Sequence, residues 1–154
     1  MTAADMPSDA DERVLVGRAG EGQLTFGPPQ VLADGYLRIP TVVESVDVRA
    51  ELVTEEQDRA RGPGGLVGFF EGLAANWRGW AGSRDWFDSE DHIRLSATHD
   101  GKGTISIRVD CRLHDGTSPG SWRLHLTLGV DPGSLDATVE ALRLLLQRDA
   151  PGRM

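Results

Sequence analysis

Residues 93–130 read IRLSATHDGKGTISIRVDCRLHDGTSPGSWRLHLTLGV, and this stretch decides the fold. Apolar residues hold every second place in three runs: Ile93, Leu95 and Ala97; then Ile105, Ile107, Val109, Cys111 and Leu113; then Trp122, Leu124, Leu126, Leu128 and Val130. A period of two marks a strand buried on one face, so the stretch predicts an antiparallel meander. Parity types its turns. The first two rows are both odd-numbered, and only a loop with an odd number of residues keeps them on one face. Asp100-Gly101-Lys102-Gly103 supplies three loop residues closed by Gly103 as a bulge. The second turn, HDGTSPGS at 114–121, joins an odd row to an even one and supplies eight residues. If Leu113 meets Trp122 across the second turn, the polar face lines up Arg94, Asp110 and His125 in one row. A carboxylate between a guanidinium and an imidazole can orient a general base; the same trio also makes a charge ladder on a solvated face.

Downstream, Asp131-Pro132-Gly133-Ser134 starts a helix whose apolar stripe is Leu135, Val139, Leu142, Leu145 and Leu146. Upstream, Leu66, Phe69, Phe70, Leu73, Trp77 and Trp80 recur at helical spacing, which predicts one buried stripe running to Trp80. Trp86 follows that helix beside Arg84. An exposed Trp86 with Arg84 would be an interface anchor; the other reading is a lid on the core with Arg84 stacked on an indole. Before the helix, residues 14–16, 23–26, 36–39 and 43–52 have strand character. In the last of these Val46, Val48, Ala50 and Leu52 alternate with Asp47, Arg49 and Glu51, which puts Asp47 and Glu51 on one strand face. The charged and Gly/Pro-rich stretch at 54–65 reads as a loop. The architecture expected is α+β: one curved, mainly antiparallel sheet with two helices packed on its apolar face. A single domain spans residues 13–148, between an acidic disordered tail at 1–12 and a C-terminal tail at 149–154.

The formal net charge is −8, and residues 1–60 hold 12 acids against 5 bases. Phosphate neutralisation needs clustered Lys and Arg, so nucleic acid is not the expected partner. A basic protein is compatible with this balance. No apolar run approaches the ~20 residues that cross a bilayer, and the acidic start does not read as a secretory signal; the expected setting is the cytoplasm, with no membrane partner. The lone cysteine, Cys111, reads as a small buried hydrophobe.

Motifs for chemistry are absent. The histidines at 92, 99, 114 and 125 lack the close spacing of zinc ligands, and GPGG at 62–65 lacks the Lys and Ser/Thr of a phosphate loop. No catalytic, metal-binding or cofactor-binding residue is assigned, and no cofactor is expected.

The segments FFEGLAANWRGWAGSRDW at 69–86 and RLSATHDGKG at 94–103, a Trp-led strand and a terminal helix after Asp-Pro-Gly resemble a family of actinomycete proteins known as a domain of unknown function. The resemblance spans residues 24–148 and implies a shared fold; where its members often carry a His after the hairpin glycine, this chain has Thr104. More distantly, the order of elements is similar to that of WapI-like immunity proteins, acidic cytoplasmic binders that neutralise a toxin domain. That likeness implies a non-enzymatic protein-binding module, an immunity-type inhibitor of a cationic toxin, with Glu44, Asp47, Glu51, Arg84 and Trp86 as candidate partner-binding residues. The alternative is a small-ligand binder or enzyme with a pocket near Trp80, Trp86 and His99.

Overall fold

The computed structural model describes residues 12–18, 20–33, 35–57, 65–113 and 118–147. The expected tails lie outside the described residues save Glu12, as do residues 58–64 of the expected loop and 114–117 of the second turn. The α+β class is borne out. Among the described residues the order is β1 (Val14–Arg18), β2 (Gly22–Phe26), β3 (Gln30–Val31), β4 (Leu37–Glu44), β5 (Arg49–Glu56), α1 (Leu66–Ala75), β6 (Ser83–Phe87), β7 (Ile93–His99), β8 (Ile105–Leu113), β9 (Trp122–Val130) and α2 (Leu135–Leu146). Every strand pairing is antiparallel, and the pairings divide the strands into two sheets, β1 to β5 and β6 to β9.

The β7–β8 and β8–β9 hairpins have the expected register, with Leu113 opposite Trp122: Arg94 faces Asp110, and Asp110 faces His125. Gly103 takes φ +104°, the left-handed region in which a bulge glycine sits, and Asp100 N–H donates to Thr104 O at 3.1 Å to close the loop. Beyond the expected meander, β6 adds a fourth strand beside β7. Its sequence SRDWF buries only Trp86, so no row of apolar residues announces it.

The segment 43–52 is not one strand. Ser45 N–H donates to Val48 O at 2.9 Å, so the chain reverses at 45–48 and the two ends of the segment pair with each other as β4 and β5. Val46 and Val48 occupy the turn and are exposed, Val46 by 77%. Their alternation with charged residues imitates a strand across a hairpin tip. The expected loop at 54–65 likewise begins later, since Thr54 to Glu56 finish β5.

The stripe of α2 is buried at each of its five expected positions, and Leu66, Phe69, Phe70 and Leu73 of α1 join it in one core. Burying such side chains contributes about 1.5–3 kcal/mol each. Arg143 of α2 pairs with Glu71 of α1 across the outside of the helix pair.

Two seams join the sheets. At one, β2 starts so close to β9 that a Cβ on Gly22 would lie 3.1 Å from Thr127 O and 3.3 Å from Leu128 Cβ. At the other, the turn after β6 is stapled to β5: Asp88 Oδ2 accepts from Glu55 N–H at 3.0 Å, and Ser89 Oγ donates to Glu55 O at 2.6 Å. No helix among the described residues is long and apolar enough to cross a membrane.

Candidate functional site

Helix α1 stops earlier than its apolar spacing predicts. Asn76 N–H reaches Gly72 O and Leu73 O, both at 3.2 Å, and its side-chain amide donates to Gly72 O at 3.0 Å. Arg84, arriving from β6, donates to the same carbonyl at 3.3 Å. Three donors make four hydrogen bonds to two carbonyls and finish the helix, and Gly79 at φ +141° turns the chain away. Trp77 and Trp80 therefore leave the stripe. Trp80 packs on the core's edge: its Nε1 donates to Ala97 O at 3.3 Å, the Arg84 guanidinium lies 5.2 Å from its ring, and His99 meets it edge-on at 5.3 Å. Trp77 does not enter the core as expected; it is 50% exposed, with the Arg78 guanidinium 5.1 Å from its ring.

His99 pins this bend. Its Nδ1 accepts from Gly101 N–H at 2.9 Å, which leaves Nε2 to carry the proton and donate to Trp77 O at 2.9 Å. Its side chain is only 2% exposed. Between the end of α1, the β7–β8 loop and the start of α2 lies a groove of about 670 Å³. Trp77 and Arg78 line one part of it and Asp131 and Asp136 another. Asp131 also accepts from Gly133 N–H at 3.0 Å, the cap of a short 3-10 turn (Pro132–Ser134) that leads into α2.

The sequence-derived candidates divide. Trp80 and His99 are brought together beside this groove, whereas Trp86 lines a separate cavity of about 270 Å³ with Glu56, Phe87 and Asp88. Trp86 is 6% exposed, so the reading that makes it an exposed anchor is corrected. Its indole N–H has no hydrogen-bond acceptor among the described residues. Arg84 stacks on an indole as the lid reading has it, but the indole is Trp80.

Glu44, Asp47 and Glu51 are gathered at the β4–β5 tip. Asp47 is in the turn and not on a strand face with Glu51. Arg49 stands between the other two, 3.2 Å from Glu44 and 3.5 Å from Glu51. One guanidinium thus offsets part of the acid expected to act there.

On the outer face of the second sheet, Asp110 Oδ1 is shared by Arg108 Nε at 3.3 Å and His125 Nδ1. Arg94 turns instead to Asp91, at 3.0 Å. These side chains line a depression of about 370 Å³ that also holds His92, Arg112 and Arg123. Cys111 borders it from the inward row, and burial pushes its thiol up to about 11, so it is not a ready nucleophile. Among the described residues no group of three or more His, Cys, Asp or Glu is placed to hold a metal ion. Sequence reasoning missed Trp77 as a surface residue, Asp131 and Asp136 as its neighbours, and Arg108, Arg112 and Arg123 as one cluster. The alternation that assigns β8 and β9 already puts those arginines on one face; only the tertiary structure makes the face a depression.

The sequence model of a family described as a family of unknown function, DUF6228, matches residues 21–149. Both resemblance segments fall inside that range. No curated protein matches the chain. Among solved structures, one described as the plant transcriptional regulator PBF-2 is similar at 14% identity and a TM-score of 0.45, with 92% of this chain and 82% of that chain covered.

Proposed function

We propose, for a chain that belongs to the family of unknown function DUF6228, a role as a non-catalytic protein-binding module that takes a basic segment of a partner into the groove beside Trp77. The observation that carries this reading is Trp77 itself, half exposed on the wall of the groove, with Arg78 over its ring and two carboxylates nearby. Trp and Arg dominate interface hot spots, and a desolvated aromatic anchor sets the off-rate. The net charge of −8 adds attraction for a cationic surface. A cytoplasmic immunity-type inhibitor of a basic toxin domain is the biological form this takes. The acids of the β4–β5 tip then act as rim charges that speed encounter.

The test is capture of the partner by the full chain from its native cell extract, followed by binding kinetics. Trp77→Ala should raise the off-rate about 30-fold, the effect of a hot spot worth ~2 kcal/mol. Asp136→Asn should slow association and flatten its salt dependence. A partner whose kinetics ignore both substitutions rejects the groove as the contact surface. The second reading, a small-ligand site, is favoured by the groove's volume, since ligand pockets run ~300–1,000 Å³. A metabolite that co-purifies with the parent protein and not with Trp77→Ala would decide for it.

A further inference from the structure

The outer face of the second sheet has a charge opposite to that of the chain. Around its depression stand Arg94, Arg108, Arg112 and Arg123 against Asp91 and Asp110, a surplus of two positive charges with the histidines neutral. Each aspartate serves two side chains. Asp91 accepts from Arg94 Nε at 3.0 Å and from Arg112 Nη2 at 3.0 Å, and its carbonyl accepts from Arg112 Nε at 3.1 Å. Asp110 is shared by Arg108 and His125. Arg123 is exposed and has no hydrogen bond or ion pair among the described residues.

Arg112 and Arg123 are direct cross-strand partners in the β8–β9 ladder. Like charges set opposite each other destabilise a sheet, and among the described residues no carboxylate contacts Arg123 to offset the repulsion. We propose that this depression is a binding site for a divalent oxyanion of the phosphate class, held between Arg112 and Arg123. The guanidinium fork matches two oxygens of such an anion. Asp91 fixes Arg112 before the ligand arrives, so little side-chain freedom is lost on binding. The surplus of two charges selects a divalent anion over a monovalent carboxylate. The site is independent of the groove beside Trp77 and shares no residue with it.

Calorimetric titration of the full chain at low ionic strength with inorganic phosphate, sulfate and acetate tests the proposal. Phosphate and sulfate should bind saturably and acetate should not. Arg123→Gln should weaken phosphate binding about tenfold or more, through loss of a charge-assisted contact, whereas Arg49→Gln, at the β4–β5 tip, should leave it unchanged. A second readout separates a ligand site from a structural role. In anion-free buffer Arg123→Gln should be at least as stable as the parent, because the repulsion is gone, and only the parent should gain thermal stability when phosphate is added. Equal phosphate affinity in parent and Arg123→Gln, equal binding of acetate, or a destabilised Arg123→Gln in anion-free buffer would each overturn it.

Discussion

Asp88 shows how one side chain can hold two sheets together. Its Oδ1 accepts from His92 N–H at 2.6 Å and Ile93 N–H at 3.3 Å, while Oδ2 takes Glu55 N–H from the other sheet. Burial raises its pKa above the usual 3.8, against the lowering effect of those backbone bonds and of His92. A raised folded-state pKa means that the fold binds the proton more tightly than the unfolded chain. The group therefore favours folding most below pH 3.8, and that contribution is lost as pH rises through the folded pKa. A carboxyl titration followed by NMR should place its midpoint above 3.8. Asp88→Asn puts amide donors where only acceptors fit, and should cost about 1–3 kcal/mol in urea unfolding at neutral pH. An unchanged midpoint would show that the staple contributes nothing. Nothing in the sequence around Asp88, FDSED at 87–91, separates it from a solvated turn. Cys111 is the opposite case. Its place in an alternating row predicts burial, it is 3% exposed, and labelling by a thiol reagent should be far slower in the folded protein than in denaturant.

Among the elements, those with an unbroken apolar period were legible and those that end inside one were not. Helix α2 and the faces of β7, β8 and β9 follow from spacing and parity, and the β8–β9 register needs in addition that Leu113 meet Trp122. The tip of β7–β8 tests this: Gly103→Val forces a Cβ-branched residue to φ +104°, and should destabilise by about 1–3 kcal/mol in urea. A variant as stable as the parent would mean that the loop relaxes freely. Truncating the centre of the α2 stripe, Leu142→Ala, should cost about 2–5 kcal/mol, because the residue is fully buried between α2 and the rest of the core; thermal melts measure it. The spacing predicts too long a helix α1 because Trp77 and Trp80 keep the helical period after Asn76 and Gly79 have ended the helix. The β4–β5 turn is hidden in the sequence because Val46 and Val48 continue the alternation through it. In both, local periodicity carried on past a backbone reversal fixed by hydrogen bonds that hydrophobicity does not report.

On the scale of the molecule, the α+β class and the antiparallel pairing could be read from the chain, but its division into two sheets could not. The seams that join the sheets rest on a glycine at a close approach and on the turn residues Asp88 and Ser89, none of which belongs to a periodic pattern. The candidate sites were half legible for a related reason. Arg94, Asp110 and His125 align as the register requires, whereas the groove beside Trp77 depends on where α1 stops. The two sheets also repeat one plan: each is a contiguous stretch of antiparallel strands followed by a helix, and every ladder joins strands one or two places apart in the chain. This has a kinetic consequence. Local hairpins close cheaply, whereas the seams and the α1–α2 contact need distant segments to meet. Each half-chain can form its ladders before the halves dock, so the barrier should lie at docking with the ladders already in place. Chevron analysis should then give a high φ-value for Ile107→Val inside the second sheet and a low one for Ser89→Ala at the seam. The reverse order would mean that the halves collapse together first, with the strands aligning afterwards inside a shared globule.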